Sequence, residues 1–195
     1  PFIQNISHEN TIVVPVLNVY GTGAYLQEKL PKVLVTDGCI YVSANIKQAG
    51  VLLQHGEILR VFFGVREKED LKKLNGQLDG EYKAERLLKK IAQDFKDSGI
   101  DGILSDNIKR DALTIGTAGL YLHAVAGDFQ REGEARELFK TLIREIVTLA
   151  NAMGITFEED LVERNLKILS NLPEEATTSM QRDVMEGKQS EIDGL

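Results

Sequence analysis

The apolar residues follow two different periods along this chain. Residues 11–17 (Thr-Ile-Val-Val-Pro-Val-Leu) form a short β-branched run that reads as a buried strand, and Pro15 sets it near an edge or ends its ladder. Asn18 to Gly23 reads as a turn, and Ala24 to Leu30 as a short helix stopped by Pro31. Val33–Val35, Cys39–Ala44, Gly50–His55 and Arg60–Phe63 read as successive short strands, punctuated by Gly38, Gly50, Gly56 and Gly64. Beyond Gly64 the spacing becomes helical. Glu67–Leu74 is charged and helix-prone, and Glu81–Ser98 places Leu87, Leu88, Ile91, Ala92 and Phe95 on one face, with Gly99 as its stop. Ile100–Leu104 is a short strand or connector.

From Ser105 onward the pattern predicts helices. One opens at Asp106-Asn107-Ile108 and runs through Leu113, and Ala118–Ala126 is apolar throughout, as a buried helix would be. Gly133 or Glu134 to Met153 is the clearest helix, with Leu138, Phe139, Leu142, Ile143, Ile146, Val147, Ala150 and Met153 spaced by three and four and Gly154 at its end. Thr156 with Glu159 fits a capping box before Leu161–Leu169, and Pro173 fits the first turn of one more helix. The order predicts an α/β region followed by an all-α region, with a boundary between residues 98 and 106.

Composition narrows the function. The net charge of −7 argues against nucleic acid as a partner, because neutralising phosphates needs a basic face. Cys39 is the single cysteine, so no disulfide framework forms within the chain; it sits in an apolar run where a buried, inert thiol is expected, and a cytoplasmic location follows. No apolar run has the length of a membrane span, and no signal-peptide pattern is visible. His8 and His55 are isolated, His123 reads as a core or interface residue, and Glu158-Glu159-Asp160 reads as a favourable helix N-terminus, so no metal site is expected.

The last twenty residues carry the most specific pattern. Ser179-Met180-Gln181-Arg182-Asp183, followed by Gly187-Lys188-Gln189-Ser190-Glu191-Ile192-Asp193, resembles the "SSM-x-x-D … G-[RK]-x-[ST]-E-I-D" signature of the ketopantoate reductases. Upstream, Val13 to Gly21 resembles that family's strand ending in "x-x-N-G-x-G", and Gly38–Ala44, Gly50-Val51 and Phe63-Gly64 resemble its "G-x-x-Y-x-x-A … PG-x-V … FG" stretch. Asp106-Asn107-Ile108 and Ala152–Ile155 also have family counterparts.

The resemblance implies a partial Rossmann-type NAD(P)-binding domain in residues 1–100 and a helical domain like that of 6-phosphogluconate dehydrogenase in residues 101–195. It implies an NADP-dependent oxidoreductase that reduces 2-dehydropantoate to pantoate with NADPH, on the route to pantothenate and coenzyme A. Ser179 and Glu191, twelve residues apart, would hold the substrate, Asn18 would contact the cofactor or substrate, and Asp183 would be structural. The implied partners are a small 2-oxo acid and a second copy of the chain as a homodimer, with neither nucleic acid nor membrane.

Two parts of the family pattern are absent from these 195 residues. The glycine loop G-x-G-x-x-[GA] does not occur, and Gly21-Thr22-Gly23 reads as a plain turn. The family's proton-donating lysine, in "K-x-x-x-N-x-x-x-N", has no match in place; Lys109, about two turns earlier, is the candidate acid. A longer polypeptide supplying the missing parts, or a truncated and inactive relative, would each explain this, and the first is preferred. A D-2-hydroxyacid dehydrogenase of the same family and a non-catalytic dimerisation or binding module are the alternative functions.

Overall fold

The computed structural model describes residues 2–8, 11–17, 19–72, 83–113, 125–178, 181, 182, 185 and 187. Its contacts divide into two compact units, Pro1–Ala112 and Leu113–Leu195. The architecture is that of a Rossmann-type α/β region followed by a helical one.

The first unit begins with helix α1 (Phe2–Ile6) and strand β1 (Ile12–Val13), followed by α2 (Thr22–Lys29) and β2 (Leu34–Val35). β1 and β2 pair in parallel, Ile12 with Leu34 and Val13 with Val35. The β-branched run therefore yields a shorter ladder than its seven-residue pattern suggests, and it ends two residues before Pro15. Gln27 ties α2 to β2: its amide donates to the carbonyls of Leu30 and Val33 (2.9 Å each) and accepts from Val35 N–H (3.1 Å).

The three short strands expected from Cys39 to Phe63 are two long ones. β3 (Asp37–Gln48) and β4 (Val51–Gly64) form an antiparallel hairpin, and β5 (Asp101–Leu104) adds in parallel to β4. Gly56 does not end a strand. Val42 pairs with Leu59 and Ala44 with Gln54, so residues 55–58 bulge against residue 43, and Gly56 takes φ 77° within that bulge. A sequence pattern cannot separate a bulge from a break, because both call for glycine.

Helix α3 (Lys83–Asp97) buries the face its period predicts. Its Leu88 joins Val61 and Phe63 of β4 in the core, with Ile91, Ala92 and Phe95 packed against them. Phe63 meets Phe95 edge to face at 5.8 Å between ring centroids. Beyond α3's reach the hairpin leaves Ile46 and Leu52, directly opposite each other, exposed. Helix α4 (Ile108–Leu113) follows β5, as expected.

The second unit contains α5 (Ala126–Gln130), α6 (Glu134–Ala152) and α7 (Leu161–Ser170). Ala126, Phe129 and Leu169 form its core, with Phe139 and Leu166 packed against them. Gln130 donates to the carbonyls of Leu169 and Leu172 (2.8 Å each), satisfying the end of α7. Two helix starts differ from the sequence pattern. Asp160, not Thr156, caps α7 and accepts from Val162 and Glu163 N–H at 2.7 and 3.3 Å, while Glu159 pairs with Arg164. Pro173 lies outside any helix: the carbonyls of Glu174 and Ala176 accept instead from Gly127 and Ala126 N–H at 2.8 and 2.9 Å. The helical turn at Gln181-Arg182 starts from a reciprocal box, Thr178 N–H to Gln181 (2.8 Å) and Gln181 N–H to Thr178 Oγ1 (3.2 Å). Most of the predicted Ala118–Ala126 helix lies outside the described residues.

Candidate active site

The carboxyl ends of β1, β2, β4 and β5 deliver their following segments to one cleft of about 490 Å³ within the first unit. This is where open α/β sheets place their ligands. Tyr20 and Gly21 enter from the turn after β1, Ala24, Gln27 and Glu28 from α2, and Asp37 from the residues after β2. Arg66, Glu67 and Asp70 follow β4, and Lys109 projects from α4.

Gly21 and Gly23 set the near wall. Gly21 caps α2 in the left-handed conformation (φ 82°), and Thr22 and Gly23 are already helical, so this segment is a helix start rather than a plain turn. Gly23 is a packing requirement. A Cβ there would stand 2.0 Å from Asp37 Oδ1, 2.2 Å from Thr36 O and 2.7 Å from Arg66 Nη1. Only hydrogen at this position lets α2 lie directly on the Asp37–Arg66 pair.

That pair is the anchor of the cleft floor. Arg66 reaches Asp37 at 3.5 Å and Asp70 at 3.7 Å, and the three side chains are 10–14% exposed. Burying these charges is costly, so the carboxylates flanking Arg66 are what make its position tolerable. Lys109 pairs with Glu67 on the more open side, where the lysine is about one-third and the glutamate about three-fifths exposed. The hydrogen bond from Lys109 to Glu67 holds the ammonium pKa above its ordinary value, with burial acting against it. Burial raises the Tyr20 phenol above its ordinary value, and the charge of Lys109 partly offsets that, which places the two groups in each other's field.

Of the residues singled out from sequence, Lys109 lies in this cleft. Asn18, Ser179, Glu191, Asp183 and His123 lie outside the described residues. Among the described residues no group of His, Cys, Asp or Glu could hold a metal ion, and no helix is long and apolar enough to cross a membrane. Cys39 is 1% exposed, and burial pushes its thiol up to about 12.

Sequence reasoning passed over Tyr20, Asp37, Arg66 and Glu67. A signal existed for Tyr20: it directly precedes Gly21-Thr22-Gly23, the place where the N-G-x-G pattern sets its asparagine, whereas Asn18 stands two residues upstream. Asp37, Arg66 and Glu67 sit just beyond strand ends that became visible only once the strands were paired.

Residues 112–195 match the family model described as ketopantoate reductase PanE/ApbA, C-terminal. These residues therefore resemble the C-terminal region of the ketopantoate reductases. The uncharacterised oxidoreductase YkpB of Bacillus subtilis (strain 168) is 25% identical over 205 residues, covering 100% of this chain and 61% of that protein. The dimeric ketopantoate reductase of Staphylococcus aureus shares the fold with TM-score 0.72 at 22% identity, covering 100% of this chain and 61% of that one. D-mandelate dehydrogenase, in a ternary structure with NADH and anilino(oxo)acetate, gives TM-score 0.77 at 21% identity, covering 98% and 60%. The chain thus spans about three-fifths of the length of these proteins.

The cleft's donor set does not fit the diphosphate of a dinucleotide. Glu28, Asp37, Glu67 and Asp70 outnumber Arg66 and Lys109, and both cations are already paired. A diphosphate needs unpaired cations or a row of free N–H groups at a helix start.

Proposed function

We propose that the protein is an NADP-dependent reductase of a 2-oxo acid, with 2-dehydropantoate, reduced to pantoate, as its substrate and NADPH as the reductant. The observation that carries this reading is the match of residues 112–195 to the C-terminal region of the ketopantoate reductases. The position of the cleft at the carboxyl ends of four strands supports it.

In this reading residues 1–100 serve the cofactor and residues 101–195 the substrate. Ser179 and Glu191 hold the substrate, and Asn18 contacts the cofactor or substrate. Reducing a ketone draws negative charge onto its oxygen, so a nearby donor or cation is needed. Lys109 supplies the positive charge that an anionic 2-oxo acid requires in the cleft. With its pKa held up by Glu67 it is better suited to act as a fixed cation than as the proton donor. The protein is taken to be cytoplasmic and to work as a homodimer.

A second reading, reduction of bulkier 2-oxo acids as a D-2-hydroxyacid dehydrogenase, rests on the likeness in fold to D-mandelate dehydrogenase. Steady-state oxidation of NADPH and NADH with 2-dehydropantoate and with phenylglyoxylate separates the two. A kcat/KM at least tenfold higher for 2-dehydropantoate is expected. A preference for phenylglyoxylate would move the assignment to the second reading.

A further inference from the structure

Among the described residues that line the cleft, four side chains can donate a hydrogen bond: Tyr20, Gln27, Arg66 and Lys109. Gln27 is committed to the backbone of Leu30, Val33 and Val35, and Arg66 lies between Asp37 and Asp70. Among the described residues Lys109 pairs with Glu67, and that glutamate is about three-fifths exposed and able to swing into water. Tyr20 lines the cleft and is 42% exposed. An ammonium bound to a displaceable carboxylate, beside a phenol, matches the two oxygen-bearing groups of a 2-oxo acid.

We propose that Lys109 and Tyr20 form a two-point seat for a 2-oxo acid, and that Glu67 is an internal carboxylate which the ligand's own carboxylate displaces from Lys109. Tyr20 then donates to the keto oxygen. This deepens the proposed function and rests on its reading of the cleft as a 2-oxo acid site. The exchange explains how a cleft with more carboxylates than cations can take an anion: one carboxylate leaves Lys109 as another arrives, so the count of charges around the ammonium does not change. An exposed pair such as Glu67–Lys109 contributes little stability of its own, so opening it is cheap.

The inference predicts a gain in affinity from the loss of a charged side chain that lines the site. Glu67→Gln frees Lys109 for the ligand's carboxylate and should tighten binding. Calorimetric titration with 2-dehydropantoate, and with its neutral lactone as the carboxylate-free control, provides the test. Glu67→Gln is expected to bind the acid about two- to fivefold more tightly and the lactone unchanged. Lys109→Met should weaken the acid roughly ten- to a hundredfold, and Tyr20→Phe should weaken acid and lactone alike by about three- to tenfold. A gain in affinity cannot come from misfolding, and circular dichroism melts check the other two variants. If the unaltered protein binds the acid but Glu67→Gln leaves it unchanged or weaker, the exchange is wrong while the reading of the cleft survives. If the unaltered, folded protein binds neither ligand, the cleft is not a 2-oxo acid site and both fail.

Discussion

Replacing Gly23 by alanine tests how the cleft is built, because two principles predict opposite signs. Gly23 lies in the first turn of a helix, and the glycines whose φ is left-handed do not include it. On conformational grounds alone, Gly→Ala here should stabilise by up to about 1 kcal/mol. The packing predicts the reverse. The new methyl would overlap Thr36 O at 2.2 Å and Asp37 Oδ1 at 2.0 Å, against an ordinary contact of 3.4–4 Å. The first neighbour is backbone at the end of β2 and cannot move aside as a flexible side chain would. The second is the carboxylate that positions Arg66, and displacing it leaves a buried guanidinium less well paired. Overpacking of this kind costs about 1–3 kcal/mol, with the disturbed ion pair added, so a net loss of at least about 2 kcal/mol is expected. Urea denaturation followed by circular dichroism measures it. Gly21→Ala is the companion: it meets open space but requires φ 82°, so it should lose only about 1–2 kcal/mol through backbone strain. A Gly23→Ala variant as stable as the parent, or more so, would refute the packing argument and with it the claim that α2 rests on the Asp37–Arg66 pair.

Three further outcomes follow from the same structure. Phe63→Ala should lose about 3–5 kcal/mol, because the ring is fully buried against Leu88 and Phe95, and thermal melts would show it. Asp160→Ala should lose about 1 kcal/mol from the missing cap of α7, while Thr156→Ala, which removes no cap, should lie within about 0.5 kcal/mol of the parent. The Cys39 thiol is raised from 9.0 to about 12 in the fold, so between those values the unfolded chain has released a proton that the folded one keeps. The folded state then binds more protons, and stability falls as pH rises through that window. Cys39→Ala should show a shallower decline above pH 9.0 in denaturation experiments, and the native thiol should resist alkylation until the protein unfolds.

The regular elements were legible wherever period and punctuation agreed. The face of α3, the span of α6 and the stops at Gly99 and Gly154 followed from residues within one element. The readings that needed revision involve choices set by contacts from outside. Gly56 could end a strand or fill a bulge, and pairing with β3 decided for the bulge. Thr156 and Asp160 were both competent caps, and the observed start of α7 selected the aspartate. Pro173 fits a helix start, yet the carbonyls that follow it are used by α5. The site divides in the same way. Lys109 was flagged from a family pattern, whereas Tyr20, Asp37 and the adjacent Arg66 and Glu67 come from three separate segments that meet only when the parallel strands align their carboxyl ends. Their chemistry lies in the juxtaposition, and no local spacing encodes it.

The most direct test of the proposed activity is the loss of absorbance of reduced nicotinamide when 2-dehydropantoate is added to the full-length protein with NADPH. Oxidation that saturates with 2-dehydropantoate, yields pantoate and runs faster with NADPH than with NADH is the predicted result. A folded protein that oxidises neither cofactor with 2-dehydropantoate, phenylglyoxylate or other branched 2-oxo acids would contradict the assignment as a reductase.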